Sequence, residues 1–162
     1  ELNMQVRHES GRCGVEPERA LDADQRCISP SDFGFHNALA QADGSARFLD
    51  FEYAGWDDPA KLMGDFFAQV AVPVPGHLFE LFAQMTLSCF PEPDALAWRA
   101  ALLRPVYRVK WCCITLNIFL PVNLARRRFA DPLLDERTLK RQQLAKATEL
   151  FQSLTVSDHG LH

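Results

Sequence analysis

The chain has 162 residues, of which 48% are hydrophobic and 23% charged. This composition excludes a disordered tail, a collagen-like rod and a disulfide-stapled mini-domain. The net charge is −4, so the summed charge offers no basic field, and we expect neither nucleic acid nor a membrane as a partner. Five cysteines without a zinc or redox spacing predict reduced thiols and a cytoplasmic protein.

In chain order, residues 1–28 predict an irregular polar lead-in, with a short helix over 18–27 as its one regular element. Two short apolar segments, 38–40 and 47–49, flank an Asp43-Gly44 turn and predict a β-hairpin. Pro59 predicts the start of a helix. Further helices are expected over residues 76–90, 94–103, 106–120 and 134–154, with prolines at several of the joints.

The expected fold class is therefore α+β and mostly α: a small hairpin with irregular loops on a bundle of about five helices. Residues 29–59 contain the loops and the hairpin, and residues 60–156 are the helical remainder. Arg126, Arg127 and Arg128 spread over more than half of a helix circumference, which favours a solvated face over a binding patch.

Polar side chains stand at both ends of the predicted hairpin. Asp32 and Asn37 precede the first strand, and Asp50 follows the second. Because a hairpin brings its two ends together, we expect Asn37 and Asp50 to lie close to each other, with Asp32 one loop away. Oxygen ligands suit magnesium, and a free carboxylate can orient an alcohol and take its proton. The pattern indicates phosphoryl transfer, with Asp32 as the base and Asn37 and Asp50 as the magnesium and nucleotide ligands.

Simpler interpretations of the same residues stay open. Asp and Asn favour turns and helix caps for purely structural reasons. Asp32 and Asp50 would also serve as the carboxylate pair of a hydrolase, although this leaves Asn37 without a role. We expect His36 to stabilise its loop rather than to bind metal. Glu52, Asp57, Asp58 and Asp65 form an acidic group that either attracts a cationic acceptor or caps the following helix.

The segment of residues 29–59 resembles the aminoglycoside phosphotransferase / choline kinase family, which has the protein-kinase-like fold. That family shows His-Gly-Asp, four residues, Asn, a hairpin that ends in an apolar residue and Asp, and a downstream Asp-Pro. Here Asp32, Asn37, Asp50 and Asp58-Pro59 stand at the matching positions, and Pro30-Ser31 replaces His-Gly. The Asp32-Phe33-Gly34 tripeptide is not the equivalent of the protein-kinase metal motif, because only Asp50 ends the second strand.

The resemblance implies an ATP- and magnesium-dependent enzyme that phosphorylates a hydroxyl of a small molecule. It also implies an N-terminal lobe with a phosphate-covering loop and a strand lysine, whereas the first lysine here is Lys61. We therefore expect the chain to be the C-terminal lobe of a longer kinase and to be inactive alone. The expected partner is the N-terminal lobe of the same protein. The alternative is a non-catalytic kinase-like scaffold or interaction domain. The acceptor alcohol stays open.

Overall fold

Helices account for most of the regular structure, and four three-residue strands form two separate antiparallel pairs. The computed structural model describes residues 2–13 and 16–156. Residues 1–107 and 108–162 form two compact units, called here the first unit and the second unit. The α+β, mostly α fold class is confirmed. No helix within the described ranges combines the length and the hydropathy needed to cross a bilayer.

The expectation of an irregular lead-in is wrong for its first part, because residues Leu2–Cys13 form helix α1. This segment contains no proline and consists largely of good helix formers, and Val6 and Ser10, one turn apart, are both buried. The short helix predicted over 18–27 is also wrong. A single 3-10 turn at Ala23–Gln25 and strand β1 at Cys27–Ser29 occupy that segment.

The predicted hairpin is confirmed as β2 (Ala38–Ala40) and β3 (Ala46–Phe48), with Ala38 opposite Phe48. Gly44 in its turn has a φ of 84°, a conformation that glycine adopts without steric cost. A second pair was not predicted: β1 pairs with β4 (Gly55–Asp57), with Ile28 opposite Trp56. Strands this short carry too little periodicity to be found without their partner.

Helix α2 (Pro59–Ala68) begins at Pro59 as predicted, and the Asp58 carboxylate caps it by accepting the Ala60 N–H at 2.8 Å. A 3-10 turn at Gly76–Leu78 leads into α3 (Phe79–Leu87). These helices and the start of α4 (Pro93–Thr115) enclose the core of the first unit. The core side chains are Ala60, Met63, Phe66, Phe67, Phe79, Ala83, Leu87, Leu96 and Ala100.

The joint predicted at Pro105 is absent, since α4 runs through that residue instead of dividing there. A proline inside a helix costs about 3 kcal/mol or more through a lost hydrogen bond and a clash. Residues on both sides of it are buried, including Leu102 and Cys112, and their packing offsets that cost.

The second unit continues with a 3-10 turn at Leu116–Phe119, then α5 (Pro121–Ala130) and α6 (Glu136–Val156). Helix α6 confirms the last predicted helix, whereas α5 was not predicted as a separate element. The Cys112 Sγ lies 3.6 Å from the Ala147 carbonyl oxygen, and the Arg108 guanidinium donates to the Ser153 carbonyl at 3.2 Å. These contacts join the end of α4 to α6 within this unit.

Candidate active site

Two short strand pairs hold the loops that contain the predicted site residues. The loop of Asp32 connects β1 to β2, and the loop of Asp50 connects β3 to β4. Because β1 pairs with β4 and β2 pairs with β3, each loop is fixed beside the other at both of its ends. At the hairpin end, the Leu49 N–H donates to the Asn37 carbonyl at 2.8 Å. Asn37 and Asp50 therefore flank one backbone hydrogen bond.

Hydrogen bonds within the first loop join Asp32 to Asn37 and His36. The Asn37 Nδ2 donates to the Asp32 carbonyl at 3.0 Å. The other polar atom of this side chain, the Oδ1, can accept a hydrogen bond or bind a cation. The His36 Nε2 lies 3.1 Å from the Asp32 Oδ1, and the Asp32 side chain is 53% exposed. The structure thus places a half-exposed carboxylate, an imidazole and an amide oxygen in one loop.

Two site positions have left-handed backbone. Ser31, directly before Asp32, has a φ of 70°, and Asp50 has a φ of 63°. This conformation costs a residue with a side chain about 1–2 kcal/mol, although Asp tolerates it better than most. The Ser31 turn is held by its N–H, which donates to the Ser29 Oγ at 3.2 Å, and by the Asp32 N–H, which donates to the Pro30 carbonyl at 2.9 Å. Strained residues supported in this way are typical of functional loops.

Aromatic side chains within the Asp32 loop anchor it to the core. The Phe33 ring lies between Phe48 of β3 and Phe66 of α2, with centroid distances of 4.7 and 4.8 Å. Phe35 contacts the same two rings at 5.9 and 5.2 Å. Residue 32 is thereby held between a hydrophobic anchor on its C-terminal side and β1 on its N-terminal side, so its carboxylate is presented from a fixed backbone.

Gly34 makes room for the histidine that contacts Asp32. A Cβ at this position would lie 2.6 Å from the His36 Nδ1 and 3.0 Å from the Gln69 Cγ. Gln69 is buried, and its Oε1 accepts the N–H groups of Ala71 and Val72 at 2.9 and 3.0 Å. A side chain at position 34 would therefore displace His36, which contacts Asp32, and would crowd the fixed turn after α2.

Most of the predicted acidic group is engaged in ion pairs. Asp57 bonds to the Lys61 Nζ at 2.5 Å, and the same ammonium lies 3.7 Å from buried Asp65. Asp58 caps α2 and also accepts the Arg99 Nε at 2.8 Å. The cap interpretation is confirmed for Asp58. Only Glu52 of this group is an exposed carboxylate, which weakens the case for a broad cationic acceptor patch.

Two partly buried ionisable groups near this cluster, Tyr107 and Cys27, are kept neutral. Burial, with Asp58 and Asp65 adding to it, raises the pKa of the Tyr107 phenol above its ordinary value of 10.0. Burial first, and then Asp57, raises the pKa of the Cys27 thiol above 9.0. Neither group is therefore an activated nucleophile at neutral pH. Cys27, Cys89, Cys112 and Cys113 are free thiols.

Asn37 and Asp50 are the residues that could hold a magnesium ion arriving with phosphate. Within residues 2–13 and 16–156, no group of three His, Cys, Asp or Glu side chains is arranged to hold a metal. Asn37 and Asp50 supply one amide and one carboxylate oxygen, and Mg²⁺ commonly takes one or two protein oxygens together with waters and substrate phosphates. These residues suit a shared metal rather than a self-sufficient metal cage.

Comparison with protein-family models, with curated proteins and with solved structures finds no match for this chain.

Several residues that position the site gave no clear signal in the sequence. Arg99 contacts Asp58 from 41 positions away, a separation that no local pattern reveals. The alternation of Phe33 and Phe35 about Gly34 was the one local indication of an anchored loop.

Proposed function

We propose that the chain is the catalytic C-terminal lobe of a phosphotransferase that moves a phosphoryl group from ATP to a hydroxyl of a small molecule. The observation that carries the proposal is the double closure of the Asp32 and Asp50 loops. The β1–β4 pair holds one end and the hydrogen bond from Leu49 to Asn37 holds the other. A base and two oxygen ligands on neighbouring loops are the groups that phosphoryl transfer requires.

The backbone at Ser31 adds support to the family resemblance. The family motif has glycine directly before the catalytic aspartate, and Ser31 occupies that position with a φ of 70°. This left-handed conformation is the one that glycine adopts without steric cost. Position 31 therefore has a backbone that glycine would adopt without strain, although Pro30 and Ser31 replace the first two residues of the motif.

The proposed roles divide by chemistry. Asp32 orients the acceptor hydroxyl and takes its proton, and His36 holds one of its oxygens, the Oδ1, in place. Asn37 and Asp50 hold magnesium, which when bound neutralises charge on the transferring phosphate. The phosphate-covering loop and the lysine that clamp ATP belong to a partner lobe. An acceptor with an amine would be attracted by the exposed carboxylate of Glu52.

The metal site is testable without knowing the acceptor. We expect Mn²⁺ at millimolar concentration, followed by NMR, to broaden selectively the amide signals of residues 36–38 and 49–51 through paramagnetic relaxation. Asp50→Asn removes a charged ligand and should reduce this broadening at least about tenfold, because an anionic oxygen binds a hard cation far better than a neutral one does. Asp32→Asn should leave it nearly intact, because Asp32 is assigned to the alcohol.

The control is Asp43→Asn, which alters an exposed carboxylate in the hairpin turn. A non-catalytic scaffold makes no demand on Asp50 and predicts the same weak, unselective broadening in the wild type and in all three variants. A hydrolase with Asp32 and Asp50 as its carboxylate pair predicts that Asp32→Asn and Asp50→Asn reduce the broadening equally. Either pattern would refute the assignment of roles.

A further inference from the structure

The net charge of −4 conceals two units of opposite charge. The first unit, residues 1–107, has 8 Lys and Arg against 16 Asp and Glu, a net −8. The second unit, residues 108–162, has 9 against 5, a net +4. A charge asymmetry of this kind between the parts of one chain points to an anionic partner for the basic part.

Much of the positive charge in the second unit lies at its surface. Arg128 is paired with Glu136, whose other carboxylate oxygen accepts the Lys140 Nζ at 2.6 Å. Four other exposed cations form no ion pair with any residue that the structure describes: Arg126, Arg127, Arg137 and Lys146. The acidic side chains of this unit therefore do not neutralise its basic ones.

Large apolar side chains project beside these cations. Phe129, in the last turn of α5, is 91% exposed, and Leu133, in the turn before α6, is 94% exposed. Two hydrogen bonds stabilise the turn that contains Leu133. The Asp131 Oδ1 accepts the Leu133 N–H at 3.0 Å, and the Asp131 carbonyl accepts the Leu134 N–H at 3.2 Å.

The outward face of α5 carries both exposed positive charge and exposed apolar side chains. Leu124 is buried and marks the inward face. Val122, Arg126 and Phe129 are spaced by four and three residues, so they form one stripe on the opposite side, and all three are exposed. An apolar stripe that contains a cation and ends at a projecting Phe and Leu is suited to the interface of an anionic bilayer.

We propose that the α5 stripe and the α5–α6 turn dock on the surface of an anionic phospholipid bilayer. Phe129 and Leu133 would enter the boundary between headgroups and acyl chains, while Arg126 and Arg127 meet lipid phosphates and carboxylates. The projecting shape decides between occupants. A bilayer accepts protruding side chains without a complementary pocket, which a protein partner would have to supply. This inference is independent of the proposed function.

Flotation with lipid vesicles tests it on the intact chain. The wild type should float with vesicles of phosphatidylcholine and phosphatidylserine at 3:1, and at least about tenfold less with phosphatidylcholine alone. Raising NaCl from 0.1 to 0.5 M should weaken binding several-fold through screening. Two double variants should each lower the partition coefficient at least about tenfold. One is Phe129→Ser with Leu133→Ser, and the other is Arg126→Glu with Arg127→Glu.

Matched controls change the same residue types in the first unit. Leu81→Ser replaces an exposed leucine of α3, and Arg47→Glu reverses an exposed arginine of β3, and both should bind vesicles as the wild type does. Because all the substituted side chains are exposed, circular dichroism should show unchanged helix content. No flotation, flotation insensitive to phosphatidylserine, or equal losses in the control variants would overturn the proposal. Retention on immobilised polyglutamate without flotation would assign the surface to an acidic polypeptide and also overturn it.

Discussion

The two units differ in how many of their aromatic and charged side chains are built into a core. In the first unit, Phe66 and Phe67 are buried in the core, and Lys61 and Arg99 are paired with carboxylates. In the second unit, the described buried residues are Cys112, Thr115, Ile118, Leu124 and Ala147, whereas its phenylalanines are exposed. Interior ion pairs and aromatic stacks fix loops in place, and unpaired surface cations beside exposed rings are suited to recognition.

The comparison assigns different tasks to the units. The first unit holds strained backbone at Ser31 and Asp50, and only a well-packed surrounding can maintain such backbone. The second unit has a smaller buried core, and part of its local stability comes from exposed ion pairs that contribute little each. Substitutions that remove interior pairs should therefore cost far more in the first unit than equivalent surface changes cost in the second.

The largest effect is expected at Arg99. This buried guanidinium donates to Asp58 at 2.8 Å and to the carbonyls of Glu16 and Pro17 at 2.8 and 3.0 Å, so it attaches residues 16–19 to α4 and to the start of α2. Arg99→Met keeps the aliphatic volume but leaves Asp58 and the carbonyls without this donor. We expect a loss of about 3 kcal/mol in the free energy of unfolding, measured by urea denaturation.

Arg47→Met is the matched control, because Arg47 lies exposed on β3. It should change the free energy of unfolding by less than about 0.5 kcal/mol. Equal effects of the two substitutions would mean that Arg99 does not anchor the lead-in segment, and that the first unit is not stabilised by its interior pairs.

A smaller effect of opposite sign is expected at Ser31. Ser31→Gly relieves the left-handed backbone at a φ of 70°, and we expect it to raise the free energy of unfolding by about 0.5–1 kcal/mol. Gly keeps the N–H that donates to Ser29, so the turn itself is retained. Ser88→Gly, at a residue with a φ of −57°, is the control and should be destabilising or neutral. A destabilising Ser31→Gly would contradict the interpretation of this turn.

Local chemistry made part of the fold predictable. Asp43-Gly44 between two apolar segments located the hairpin, and Asp58-Pro59 located the start of α2, since each signal lies within a few residues of the feature it specifies. The β1–β4 pair and the continuous α4 were missed. In both cases the deciding contacts are tertiary: pairing across residues 29–55 for the strands, and packing on both sides of Pro105 for the helix.

For the site, too, the sequence predicted local geometry but not the contacts that depend on packing. Hairpin geometry predicted that Asn37 and Asp50 lie close together, and the Leu49 N–H, one residue before Asp50, donates to the Asn37 carbonyl. The contact between His36 and Asp32 depends on a glycine at position 34, and spacing alone does not show that requirement. The summed charge gave no indication of the basic surface, because the carboxylates of the first unit outnumber the cations of the second.

The smallest effect, and the only one in the second unit, concerns Glu136 in the first turn of α6. Hydrogen bonds from Lys140 and then from Arg128 hold the pKa of Glu136 below its ordinary value of 4.5. The folded state thus binds this proton more weakly than the unfolded chain, so the stabilisation is present above pH 4.5 and is lost as the pH falls through the lower, folded value. Glu136→Gln should lower the melting temperature at pH 6 by no more than about 3 °C. The difference from the wild type should shrink as the pH falls below 4.5, because Glu136 then becomes protonated and neutral, as glutamine is. It should also shrink in 0.5 M NaCl, because salt screens ion pairs at the surface. Glu149→Gln, an exposed carboxylate further along α6, should show neither behaviour. A difference that did not shrink as the pH fell would mean that Glu136 acts through packing, and the contrast between a second unit stabilised by surface charge and a first unit stabilised by interior pairs would fail.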